Sequence, residues 1–188
     1  MKRLVMIAIV CLFAASAAHA QLPPKPYIGL YADETHSTWC ATGTPVYQVT
    51  MHIWSLSTPD SLLCAEFAVS YPATGVIPST TTPNPLNSVI LGDLTTGISI
   101  CFQGCQYGWQ WLFRQTLFVT EPDKKMIQIV EHGGAGVIQV APCPPGAPEI
   151  PATVFTNLYL NAESGTDPEC DQTGVQPASW GAIKQMID

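Results

Sequence analysis

Chemistry in this chain would have to come from few groups. Outside the first twenty residues the histidines are His36, His52 and His132, accompanied by scattered carboxylates and six cysteines. Glu66 and Asp93 fall on or just after strand patterns, where a rigid frame could hold two carboxylates as a glycosidase holds its acid and base. Asp33-Glu34-Thr35-His36 is the densest polar cluster and, with His132, offers a mixed set of metal ligands. Asp167, Glu169 and Asp171 alternate around Cys170 and present hard oxygens of the kind calcium takes. Each has a plainer reading. His52 lies on the polar face of a strand pattern, His132 adjoins a glycine turn, and Pro168 with Cys170 explains rigidity without a cation. A Gly-x-Ser-x-Gly elbow, His-Glu-x-x-His, a phosphate loop and a dinucleotide fingerprint are all missing. The expectation is a chain with no catalytic residue, no metal and no cofactor.

The first twenty residues read as an address. Lys2 and Arg3 precede an apolar run from Leu4 to Ala15, and Ala18-His19-Ala20 is a small-residue cleavage site, the pattern of a secretory signal peptide. Val10 stands where a lipoprotein would need a small residue before Cys11, so the cleaved leader is the preferred reading. The expected mature domain is residues 21–188. Losing Lys2 and Arg3 leaves five basic residues against fourteen acidic ones. Such a chain lacks the basic footprint that nucleic acid or an anionic membrane surface requires, and no other stretch is apolar enough for membrane insertion.

Cleavage also makes the cysteine count even: Cys40, Cys64, Cys101, Cys105, Cys143 and Cys170. Six cysteines in an exported domain imply up to three disulfides, with about fifteen possible connectivities. Cys101 and Cys105 are the closest pair, and closure through Gly104 is the first pairing expected. A zinc site would need a second close ligand pair, which is missing.

The elements that position these groups are strands. Tyr47, Val49, Met51 and Ile53 alternate with Gln48, Thr50 and His52, and Ala65, Phe67, Val69 and Tyr71 alternate with Glu66, Ala68 and Ser70. Similar runs cover 88–91, 97–102, 112–120, 126–131, 137–141 and 153–161, with a short edge strand at 27–31. Period two with β-branched and aromatic enrichment indicates strands. About nine of them predict an all-β fold, a single antiparallel β-sandwich. The proline-rich 78–85 and 142–148 segments can serve only as loops or edges. His132-Gly-Gly-Ala-Gly136 reads as a hairpin connection. Ser179 caps a short C-terminal helix in which Trp180, Ile183 and Ile187 recur at helical spacing.

Tyr107, Trp109, Trp111 and Phe113 alternate, so an unbroken strand puts all four on one face. Either they fill the core, or they form a flat platform that stacks on sugar rings. Gln110 suits the outward face, which favours the core. Trp39 and Trp54 stand alone in the sequence.

The stretch from Val46 to Asn161, with Cys64-Ala-Glu-Phe-Ala-Val-Ser-Tyr-Pro72, resembles the cohesin and carbohydrate-binding-module group of extracellular, immunoglobulin-like sandwiches. The ending Ser179-Trp-Gly-Ala-Ile-Lys184 resembles those of uncharacterised exported bacterial proteins. The first resemblance implies a secreted or cell-surface module without catalysis, whose partner is an extracellular protein or a polysaccharide. The cysteines and proline loops depart from the cohesin pattern, so a dockerin-type partner does not follow.

Overall fold

The computed structural model describes residues 25–57, 61–133, 136–143 and 145–171. The signal-peptide reading of residues 1–20 and the helix expected from Ser179 both lie outside them. The described residues form β1 (Tyr27–Tyr31), β2 (Cys40–Ala41), β3 (Tyr47–Leu56), β4 (Leu62–Ser70), β5 (Val76–Pro83), β6 (Asn87–Asp93) and β7 (Gly97–Gln106). They continue with β8 (Trp109–Val119), β9 (Lys125–Val130), β10 (Gln139–Ala141), β11 (Ile150–Pro151), β12 (Thr153–Val154) and β13 (Leu158–Leu160). One short helix, α1 (Pro168–Asp171), follows.

One sheet runs β12-β1-β3-β8-β5. In the other, β6 pairs β7 and β7 pairs β4, whose far flank carries both β10 and β9. Beyond these lie β11 against β10 and β13-β2 against β9. The chain is thus an all-β sandwich, as its alternation predicts, with thirteen strands among the described residues, five of them only two or three residues long. Two short pairings, β1 with β12 and β2 with β13, are parallel, so the sheets are mixed rather than purely antiparallel. The core between the sheets is built from the apolar half of each alternating run: Leu30, Met51, Ile53, Phe67, Val69, Ile100, Leu117, Ile127 and Leu158 are fully buried. Each such side chain contributes about 1.5–3 kcal/mol relative to exposure.

Four expectations need correction. Residues 131–138 do not join a hairpin. Val130 pairs with Ala68 and Gln139 with Glu66, so β9 and β10 lie end to end along the same flank of β4. Between them the His132 amide donates to Val137 O and the Gly136 amide to His132 O. The cysteine pairs are also different. Cys101 bonds Cys64, Cys105 bonds Cys143, and Cys40 bonds Cys170. Cys101 and Cys105 sit on the same extended strand, which carries its four-residue separation roughly 13 Å along the sheet, too far for a bridge.

The third correction concerns the aromatic run. The β3–β8 register shifts between Ile53 and Trp54, which face Phe113 and Trp111 respectively, and this leaves Leu112 as an extra residue. The bulge reverses the alternation. Phe113 points into the core, while Trp109 and Trp111 lie on the outer face beside Leu56 and Trp54. Tyr107 precedes the strand and is 70% exposed. Lastly, His52 does sit on the outer face of β3, yet it is only 3% exposed, because residues 32–39 lie across that face.

Candidate binding surface

The two sheets treat their outer faces differently. On the β12-β1-β3-β8-β5 sheet, the rows Tyr27–Leu56–Trp109, Gly29–Trp54–Trp111 and Tyr31–His52–Arg114 form a layer of rings. The strap after β1 covers it. Asp33 holds the strap's shape, accepting bonds from the Ser37 amide at 2.9 Å, the Thr38 amide at 3.2 Å and the hydroxyls of Thr35 and Ser37. These bonds keep its carboxyl below the usual carboxylate range despite partial burial. His36 turns inward and stacks on Trp109, with ring centroids 4.6 Å apart, while also packing against Trp54 at 4.8 Å. Arg114 lies over the Trp111 ring at 4.5 Å and reaches Glu34 at 3.4 Å. Burial pushes the His36 and His52 imidazoles below their usual value, so both favour the neutral form. The faces of Trp109 and Trp111 are therefore engaged within the chain, and of the three aromatic platform residues only Tyr107 stands open.

On the other sheet the described outer-face residues run from half-buried to exposed, and no described segment is folded across them as residues 32–39 are on the first. Across β10, β4, β7 and β6 the register aligns Gln139, Glu66, Ser99 and Leu91 in one row, and Ala141, Cys64, Cys101 and Val89 in the next. Their inward neighbours Val140, Ala65 and Ile100 are buried, which fixes the direction of both rows. Glu66 is the polar centre of the face. It accepts from Ser99 Oγ at 2.6 Å and from Gln139 Nε2 at 2.9 Å, and these bonds lower its pKa against partial desolvation. Gln139 also donates to Glu149 at 2.6 Å. Val89 and Leu91 add exposed apolar surface at the rim. Cys64–Cys101 joins β4 to β7, and Cys105–Cys143 ties the end of β7 to the segment after β10. Two of the three bridges therefore stiffen this one sheet. Cys40–Cys170 instead anchors the base of the strap, beside the Trp39 indole that donates to Glu169 O at 2.8 Å.

The groups singled out for chemistry are not brought together. Asp93 spends its carboxylate on a turn, accepting from the Thr95 and Thr96 amides and Thr96 Oγ1, which lowers its pKa. Glu66 and Asp93 lie two strands apart, on β4 and β6, and both are held ionised, so neither is poised as a general acid. His132 packs over Gly97 on the second sheet, whereas His36 lies under the strap of the first. Lys124 bonds Asp167 and Glu169, and Asp171 accepts from Ser164 Oγ and the Gly165 amide. Among the described residues no three His, Cys, Asp or Glu side chains are grouped to hold a metal.

Solved structures similar to this chain include cohesin modules. The sixth cohesin of Acetivibrio cellulolyticus scaffoldin B, solved in complex with a dockerin, superposes with a TM-score of 0.53 at 14% identity, over 74% of this chain and 99% of its own. A cohesin module from a Clostridium perfringens family 33 glycoside hydrolase gives 0.53 at 9% identity, over 75% of this chain and all of its own. A type I cohesin–dockerin complex from Clostridium thermocellum gives 0.52 at 8% identity, over 73% and 94%. No family model and no curated protein matches the sequence. The fold is that of a cohesin-like β-sandwich, and at these identities the likeness concerns the fold alone.

Proposed function

We propose that this chain is a secreted, non-catalytic protein-binding module, exported after removal of residues 1–20 and built as one disulfide-stapled domain. The observation that carries the reading is the contrast between the two outer faces. One is capped by its own strap; the other is stapled by two bridges, and its described residues are half-buried to exposed. A pre-stiffened sheet loses little freedom on association, so its contacts convert more fully into affinity. Val89 and Leu91 supply apolar contact, and Glu66 with Glu149 supplies acceptors, a combination suited to a protein partner presenting donors around an apolar patch. The cohesin-like fold supports this choice, since similar modules have been solved bound to dockerins. A carbohydrate-binding reading keeps Tyr107 as an open ring, but Trp109 and Trp111 would first have to shed His36 and Arg114.

The test is affinity capture. The oxidised chain and its Ser99→Arg variant are immobilised in parallel and exposed to extracellular proteins of the producing organism. Ser99→Arg puts a long cation at the centre of the open face. The reading expects a protein retained by the wild type and lost at least tenfold with the variant, at equal melting temperature. Equal retention by both would overturn it.

A further inference from the structure

The edge strand β6 is unlike every other sheet edge among the described residues. Open rows of N–H and C=O groups template further strands, so soluble proteins keep edges short or guard them with proline, charge or bulges. Here β2, β11 and β12 are two residues long. β5 carries Pro78 and Pro83 and a register shift between Pro78 and Thr81. β6 has seven residues, Asn87-Ser-Val-Ile-Leu-Gly-Asp93, without proline, and its single charge is the last of them. Its irregularity is confined to Asn87–Val89; from Val89 to Asp93 the pairing with β7 is continuous. Leu86, Val89, Ile90 and Leu91 are 45, 45, 41 and 65% exposed.

The backbone direction along this edge follows from the register. Cys64 and Cys101 face each other with Cα atoms 4.0 Å apart, the close type of antiparallel pair, whose N–H and C=O groups point away from one another. Cys101 therefore directs its backbone toward β6, where Ser88 Oγ donates to its carbonyl at 3.2 Å. Alternation then turns Val89 and Leu91 toward β7 and leaves the N–H and C=O of Ile90 pointing off the edge.

We propose that this edge pairs with β6 of a second copy of the chain, antiparallel about Ile90, joining two sandwiches through one continuous sheet. A two-fold contact requires a self-complementary strand. Centred on Ile90, Val89 faces the partner's Leu91, Leu91 faces the partner's Val89, and Asn87 faces the partner's Asp93, so no like charges meet. Two acidic chains repel least where they carry no charge, and residues 87–92 carry none. The contact uses the edge of the sheet and goes beyond the face-binding proposed above. Loss of one leaves the other measurable.

An edge contact sits at the small end of interface sizes, so association is expected at roughly 10–100 µM. Sedimentation of the oxidised chain across that range, extended severalfold on either side, should show the average mass climbing toward twice the monomer. Val89→Lys with Leu91→Lys should weaken the dimer at least tenfold. Ile90→Pro removes the outward N–H but no bond to β7, and should do the same with the melting temperature kept. A chain that stays monomeric throughout overturns the proposal, whether the edge then serves a foreign strand or none. So does a dimer that survives both variants. A dimer lost with the lysines but retained in Ile90→Pro overturns strand pairing in favour of face packing. Capture by the open face, read with Ser99→Arg, is scored separately.

Discussion

Alanine replacement of Cys101 and Cys105 together separates the observed cysteine pairing from the one that proximity suggests. If those two bonded each other, the variant would lose one bridge closing a four-residue loop, worth about 2 kcal/mol by loop-closure entropy. In the structure they belong to different bridges, whose partners are 37 and 38 residues away. Loops of that length are worth about 4 kcal/mol each, so the variant should lose about 8 kcal/mol. That equals or exceeds the total stability of many domains of this size, about 5–15 kcal/mol. The matched control Cys64→Ala/Cys101→Ala removes one bridge and leaves Cys105–Cys143 intact, a loss of about 4 kcal/mol. Urea titration followed by circular dichroism reads both, and alkylation should find two thiols in the first variant and none in the second. A first variant more stable than the control would refute the pairing and the loop-entropy argument with it.

Other expectations follow from single contacts. His36 and His52 are both held neutral by burial, so in acid the unfolded chain takes up protons that the folded chain resists. Their stabilisation is complete above the ordinary histidine value of 6.5 and is lost as the pH falls below it. Urea midpoints from pH 7.5 to 5 should therefore drop for the wild type and flatten in His36→Gln/His52→Gln; parallel curves would contradict the burial. Trp109→Ala removes a ring packed by His36, Tyr31 and Phe155 and should cost about 2–3 kcal/mol, whereas exposed Tyr107→Ala should stay within about 0.5 kcal/mol in the same titration. Gly92 has φ of 84° and an added Cβ would stand 2.2 Å from Gly97 O, so Gly92→Ala should destabilise by several kcal/mol. Gly104→Ala, with nothing within 4 Å, is the neutral comparison, and similar thermal midpoints for the two would contradict a β6–β7 turn too tight for a Cβ.

Much of the frame is legible in the residues. The alternation of Tyr47 to Ile53 and of Ala65 to Val69 specifies which side of β3 and β4 is buried, because a one-residue slip would expose the whole apolar set. What escapes such reading is non-local. Nothing around Leu112 marks the bulge that sends Trp109 and Trp111 outward and Phe113 inward, since the cause is the register against β3. His52 looks like a surface residue until the strap from β1 folds over it. The cysteine partners depend on which strands become neighbours, which spacing along the chain does not encode. The open face was the hardest to foresee. Glu66, Ser99 and Gln139 come from three separate strands, and only the pairings of β4 with β7 and β10 assemble them. The exposure of Val89 to Leu91 did have a signal: three apolar residues in succession do not fit a half-buried strand.

The central claim is that the open face of β10, β4, β7 and β6 meets another protein. A photoreactive residue placed at Ser99, and as a control at Thr116 on the outer face of the opposite sheet, tests this in the producing organism. The claim predicts an adduct from Ser99 that carries a second, different protein, is competed away by unlabelled wild type, and is absent from Thr116. Adducts equally abundant at both positions, or none at Ser99, would contradict it.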